Sequence, residues 1–309
     1  MFIAALHDAG LNGRLDSIGW TCNIKNKIVY TCVTIEHAAR ILGGSAEISC
    51  NTRNAGGFQM KIKVINPNTT ASMTETIAAA ARAVASPGTE IVAATSQSGA
   101  VSIEGHYDEA MSIIGLVDAI NAKPEADAYV IACFGDPGLL AAREIAAGPV
   151  LGIAEAAMHA AAFVATGFSI VTTLERTRII AEHLVRNYGM EHHCRRVRAT
   201  DIPVLELENP ASNCRAQILE ECEKAIVEDK AGAIVLGCAG MADLNQFLED
   251  KLGVPVIDGV TAAIKFAEAL VGLGLKTSKR GDLAYPLHKP YKGSLAAYAP
   301  PSRGNGSGL

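Results

Sequence analysis

Positive charge is in short supply in this chain. Its 27 Lys and Arg stand against 32 Asp and Glu, a net charge of −5, which argues against a general nucleic-acid binder with a basic face. No apolar run approaches the roughly 20 residues of a membrane span. The opening MFIAALHDAGLNGRL has no cationic segment ahead of an apolar stretch, so it makes a poor signal peptide. There is neither a G-x-G-x-x-G nor a P-loop, and no nucleotide is implied. Cysteine is not scarce, at eight residues. The spacing is irregular and the chain large and Ala-rich, so a disulfide framework is not expected and a cytoplasmic, reducing location is. In that setting a cysteine is a hydrophobe, a metal ligand, or a nucleophile or base. The triplets Asn68-Thr69-Thr70 and Asn305-Gly306-Ser307 match the glycosylation pattern but carry no weight without secretion.

What is present is a rhythm. With 49% hydrophobic residues the chain has ample material for a core. From Lys61 onward, short β-rich runs (IKVIN, EIVAAT, AYVIAC, GFSIVTT, AGAIVLGC) alternate with Ala- and Glu-rich helical stretches. Ser72 followed by Glu75 reads as a capping box opening the first helix. Such alternation predicts an α/β fold of parallel sheets covered on both faces by helices. Two pseudo-symmetric lobes are expected, residues 60–165 with 277–295 packing back, and residues 166–276, with the active site in the cleft between them. Residues 1–59 lack a sustained period and hold Cys22, Cys32, Cys50 and the single Trp20. Because the pattern starts abruptly at Met60, and the codons of Gly56-Gly57 must be purine-rich, translation is expected to begin at Met60, making 1–59 a non-native or disordered extension. Residues 296–309, rich in Pro, Gly and Ser, are expected to be a disordered tail.

Two cysteines stand in matching settings: Cys133 in VIACFGDPGLL and Cys238 in IVLGCAGMADL. Each ends an apolar run and is followed by a small-residue turn with a glycine. GPVLGIAEAAMHAAAF follows the first and GVPVIDGVTAAIKFAE the second, and Pro149 and Pro255 trail their cysteines at nearly the same spacing. SIVTTLERT answers the earlier KVINPNTTAS as strand, polar turn and helix start. The chain therefore reads as two homologous halves, each presenting one thiol. A pair of opposed thiols suits the removal of a proton from one face of a carbon and its return to the other.

A thiol at the C-terminal end of a strand lies where ligands bind in open α/β sheets. Backbone N–H groups and a helix start nearby predict a pKa lowered toward neutrality, the range a general base needs. Gly135 and Gly240, two residues past each cysteine, let the backbone approach a substrate closely. Asn66 and Asn68 in the turn after the first strand, and Thr172 and Thr173 after its counterpart, can bind carbonyl and N–H groups of a small polar ligand; capping serves Asn66 and Thr172 equally well. Ser102 and Ile103 are further candidates for cleft contacts. Asp136 and Glu155 are close enough in sequence to tune the first thiol, though capping and solvation account for them too. His159 reads as a packed histidine. His192-His193-Cys194 reads as a solvated helix end, since adjacent side chains diverge and no further ligand is spaced to complete a metal site.

Taken as a set, VINPNT, VSIEGHYDEA, VIACFGDPGL, GIAEAAMH, FSIVTT, VLGCAGM and PVIDGV resemble the hydantoin racemases, and the related allantoin racemases, of the Asp/Glu/hydantoin racemase superfamily. The resemblance covers about Met60 to Leu283. Residues after the cysteines differ from those of the amino-acid racemase relatives. It implies a two-lobed fold, no cofactor, Cys133 and Cys238 as opposed acid and base, a small cyclic ureide as substrate and a homo-oligomeric assembly. Two other classes stay open on the sequence: a cysteine-pair isomerase of a small dicarboxylate, and a non-enzymatic small-molecule binder built on the same cleft.

Overall fold

The computed structural model describes residues 59–209 and 211–302; the expectations for 1–58 and for 303–309, including Trp20 and the N-terminal cysteines, lie outside the described residues. The first sheet is formed by β1 (Met60–Asn66), β2 (Thr89–Thr95), β3 (Ala128–Ile131) and β4 (Val150–Gly152), all parallel, in the order β2-β1-β3-β4. The second is formed by β5 (Phe168–Thr172), β6 (Cys194–Ala199), β7 (Ala233–Leu236) and β8 (Val256–Ile257), in the matching order β6-β5-β7-β8. Register carries the duplication to single residues. Ile65 pairs with Ile131, two residues before Cys133, and Val171 pairs with Leu236, two residues before Cys238. Asn66 and Thr172 are therefore equivalent positions.

Helices cover both faces of each sheet because the strands are apolar on both sides. On the first sheet, Ile62 and Val64 pack against α1 (Ala71–Val84), while Ile65 and Ile131 pack against α2 (His106–Asn121) and α3 (Leu139–Ile145). On the second, Phe168 and Ile170 meet α5 (Glu175–Asn187), while Val171 and Ile234 meet α6 (Cys214–Asp229) and α7 (Asn245–Leu252). The connection after β1 thus leaves to one face and that after β3 to the other. The same holds for β5 and β7. Each pair brackets a switch point where an open sheet leaves a crevice at its C-terminal edge.

Two helices depart from the expected partition at 165/166. Helix α4 (Ile153–Val164) follows β4, yet Ala154, Ala157, Met158 and Ala161 complete the core of the second sheet. Helix α8 (Gly259–Gly272) follows β8, yet Val260, Ala263, Ile264 and Ala267 complete the core of the first. The reason is topological. Each follows the last strand of its sheet, has no further strand there to return to, and packs across the divide. They meet where a Cβ on Gly259 would stand 2.4 Å from the Ile153 carbonyl oxygen. Residues 277–298 return to the first lobe: the Thr277 hydroxyl donates to the Gly148 carbonyl and the Lys279 ammonium to the Glu144 carbonyl. The stretch expected to run free from 296 is described as far as 302, with the Tyr298 hydroxyl donating to Asp118 (3.0 Å).

The capping box at Ser72 does not form. Helix α1 is capped from Thr70 without a side-chain bond, and the Ser72 hydroxyl donates instead to Glu208 in the other half (2.8 Å). The entry to this helix is held by Asn68, whose carbonyl oxygen accepts from the Thr70 N–H at 2.9 Å. No helix among the described residues is long and apolar enough to cross a membrane.

Candidate active site

Both crevices open onto one cavity. The first half contributes Asn68, Ile103, Ala132, Cys133, Phe134 and Gly135, together with Met73 and Glu109 from helices; the second contributes Thr172, Thr173, Gly237, Cys238 and Ala239, with Thr177, Ile180 and Val204. The two thiols are free and half-buried, one on each wall. Their turns superimpose in kind. The Asp136 N–H donates to the Cys133 carbonyl (3.0 Å) and the Met241 N–H to the Cys238 carbonyl (3.1 Å). The N–H of Gly135 points at the Cys133 sulfur and that of Gly240 at the Cys238 sulfur.

Those N–H groups favour thiolate, yet the expected lowering of the two pKa values does not result. Burial pushes the Cys238 thiol up to about 11. It pushes Cys133 further, helped by Cys238, Asp136 and Glu109 close by. Removing a small anion from water costs more than one backbone donor returns. Neither following α-helix begins at its thiol: α3 starts at Leu139, and α7 is reached only through the 3₁₀ turn Ala239–Leu244. Burial thus favours the neutral acid form of each thiol, and one must lose its proton to act as base.

The remaining candidates separate by how they are used. Asn68 lines the cavity with its amide nitrogen resting on the Met73 sulfur (3.2 Å), a weak partner that a better acceptor displaces. Asn66 does not line it. Its amide donates to Asn68, Thr70 and Thr74, and its carbonyl oxygen accepts from the Asn68 N–H, so it is spent on shaping the loop. Thr172 and Thr173 both line the cavity; the Thr172 hydroxyl donates to the Gly237 carbonyl at 3.0 Å. A Cβ on Gly237 would stand 2.7 Å from that of Thr172, which explains a glycine immediately before the second thiol. Ile103 reaches the cavity and Ser102 does not. Gly240 stands behind the second thiol rather than in the wall, with Leu207 against its open side.

Asp136 is buried at φ 45° and works as a remote cap. Its carboxylate accepts from the Ala154 and Glu155 N–H groups at the start of α4 and from the Tyr188 hydroxyl (2.7 Å). Burial raises its pKa to about 7 against the pull of these donors. Gly152 has no side chain because a Cβ there would lie 2.1 Å from the Asp136 carboxyl carbon. The cleft rim is held across the divide. The Val204 N–H donates to Glu104 (2.9 Å), Gly105 faces the Arg176 guanidinium, and the His106 and His183 rings stack at 6.1 Å. His159 bonds the Glu155 carbonyl of its own helix (2.8 Å), and Glu155 pairs with Arg143 rather than with the thiol. Among the described residues no cluster of His, Cys, Asp or Glu is arranged to hold a metal ion, His192, His193 and Cys194 included.

Glu109 is not among the residues expected from sequence: it sits on α2 and reaches the cavity through the packing of that helix, and nothing local in VSIEGHYDEA marks which of its acids points inward.

A family model described as Asp/Glu/Hydantoin racemase matches residues 62–267. The hydantoin racemase of Rhizobium meliloti is 52% identical over 237 residues, covering 76% of this chain and 98% of that protein. The hydantoin racemase of Pseudomonas sp. (strain NS671) is 49% identical, covering 76% and 96%. Among solved structures, allantoin racemase from Klebsiella pneumoniae is 58% identical at a TM-score of 0.76, over 78% of this chain and 99% of that one. Glutamate racemase from Bacillus anthracis shares the fold at 17% identity and a TM-score of 0.53.

Proposed function

The chain belongs to the Asp/Glu/hydantoin racemase family, and from that premise we propose that it racemises 5-substituted hydantoins, allantoin among them, by two-base proton transfer between Cys133 and Cys238. The observation that carries the reading is the equivalence of the two thiols: same register, same turn, same N–H to sulfur, opposite walls of one cavity. The kinship with hydantoin and allantoin racemases supports the substrate class.

The ring C5–H of a hydantoin is acidified by its neighbouring carbonyl. One cysteine, as thiolate, removes that proton and leaves a planar enolate; the other, as thiol, protonates the opposite face. Asn68 and Thr173, whose side chains are the less committed, would hold the ring's imide and oppose the developing negative charge, while Thr172, its hydroxyl proton given to the Gly237 carbonyl, could only accept from a ring N–H. Because burial favours the neutral form of both thiols, the productive state has lost one proton from the pair, and its population belongs to the pair rather than to either residue.

The test is loss of optical rotation from enantiopure allantoin and from enantiopure 5-benzylhydantoin in D2O, with wild type, Cys133→Ser and Cys238→Ser. Each variant is expected to lose racemisation by at least about a thousandfold, within the range general acid–base groups supply, while still exchanging deuterium into one enantiomer, a different one for each variant. Racemisation surviving either substitution would exclude the two-thiol mechanism. Inactivity of wild type on both compounds would exclude the substrate class.

A further inference from the structure

The mechanism leaves one ionisable side chain of the cavity without a task. Glu109 is the only carboxylate in the cavity wall among the described residues. Its side chain is 18% exposed. One oxygen, Oε2, is held by the His106 ring at 3.2 Å. The other, Oε1, lies against Gly135, 2.4 Å from where a Cβ would stand. Glycine at 135 thus makes room for a carboxylate as well as for a substrate. Gly135 is two residues from Cys133, and Glu109 is near enough to that thiol to raise its pKa, so the carboxylate and the thiol share one side of the cavity.

We infer that Glu109 is a substrate-binding residue that selects hydantoins whose C5 substituent carries N–H donors, a ureido group above all, over those with a hydrocarbon substituent. The inference rests on the hydantoin reading and deepens it. A ureido group offers three N–H bonds, and a carboxylate oxygen is an acceptor for them. A hydrocarbon substituent offers none and would press Oε1 further from water with no donor in return, the kind of mismatch by which a hydrogen-bonding site rejects its apolar analogue. Burial already raises the Glu109 pKa, with His106 opposing, so the group is sensitive to any further loss of partners. Phe134, Ile103 and Ile180, also in the cavity wall, cannot supply an acceptor from their side chains.

The experiment compares kcat/KM for allantoin and for 5-isobutylhydantoin in wild type, Glu109→Gln and Glu109→Leu. The leucine variant is expected to lower the allantoin-to-isobutyl ratio at least about tenfold, equivalent to one lost hydrogen bond to a charged group. The glutamine variant, which keeps an acceptor oxygen but no charge, is expected to retain most of that ratio. An equal loss on both substrates in the leucine variant would overturn the inference and assign Glu109 to the shared ring or to the Cys133 thiol. So would an unchanged ratio, or a glutamine variant as altered as the leucine one. Wild type inactive on both substrates would instead be a failure of the underlying hydantoin reading, visible before any variant is compared.

Discussion

The two halves agree at the turns that carry the thiols and differ in their buried charges and in how their last helices are capped. Strand order, register and the turn carrying the thiol are common to both. Their buried charges are not. Lys63 on β1 is 2% exposed and donates to the Ala119 and Ala122 carbonyls at the end of α2. Its counterpart, Ser169, donates to Asp229, and the cation of that half is Arg198, bonded to Asp229, Glu221 and Glu228. The helix after each final strand is also capped differently, α8 by the adjacent Asp258 and α4 by the distant Asp136. A duplicated scaffold has kept the geometry of its two cysteine turns and diversified its electrostatics. The two thiols are therefore chemically unequal, Cys133 being the harder to ionise.

The largest break in this comparison should come from the buried cations. Arg198→Met leaves Asp229 buried beside two further carboxylates, and a loss of about 3–5 kcal/mol is expected, the usual consequence of removing one partner from a buried ion cluster. Lys63→Met strands the Ala119 and Ala122 carbonyls but also removes the desolvation of a buried ammonium that lowers the lysine pKa, so its cost should be smaller, about 1–2 kcal/mol. Urea denaturation of the two variants measures both; equal losses would contradict the asymmetry.

The caps come next. Asp136→Ala strands two helix N–H groups and the Tyr188 hydroxyl and should cost about 2 kcal/mol at mildly acidic pH; Asp258→Ala should cost about 1 kcal/mol, a typical cap value. The Asp136 pKa of about 7 in the fold lies above its unfolded value near 4. Its stabilisation is accordingly full below the unfolded pKa and declines as pH rises through the folded one. The gap between wild type and Asp136→Ala should narrow mainly between about pH 4 and about pH 7. A gap that widens would refute the assignment.

The smallest effect concerns the second thiol. Glu104 is the one carboxylate raising the Cys238 pKa, and it is lent by the other half. Glu104→Gln keeps an acceptor for the Val204 N–H while removing the charge, so Cys238 should ionise at slightly lower pH. The rising alkaline limb of the racemisation profile should shift down by a few tenths of a pH unit, a few tenths of a kcal/mol at most. A shift upward would contradict the electrostatic account.

Much of this architecture is written locally. The apolar runs that form β1, β3, β5 and β7 are short and sharply bounded, and a thiol two residues past a strand end must lie at the sheet edge, so the pair could be placed from sequence. What could not be read depends on contacts distant in sequence. Asn66 looks like a ligand group until Asn68, Thr70 and Thr74 are seen to exhaust it. Ser72 has the spacing of a cap but finds Glu208 across the divide. Glu109 becomes a cavity residue only through the packing of α2. The raised thiol pKa values reflect burial by both halves together, which no local pattern contains.

The crossed helices also bear on how the protein is made. As the chain leaves the ribosome, the first sheet emerges complete in its strands by Gly152, but Ile62, Val64 and Val130 still await the cover supplied by Val260, Ala263, Ile264 and Ala267. Helix α1 covers part of that face, but the rest must remain open until nearly all of the second lobe has been synthesised. Neither lobe is a finished folding unit, nascent chains cut short before α8 should present an apolar sheet face for aggregation or chaperone capture, and the catalytic cleft is assembled in the same late step that closes the core.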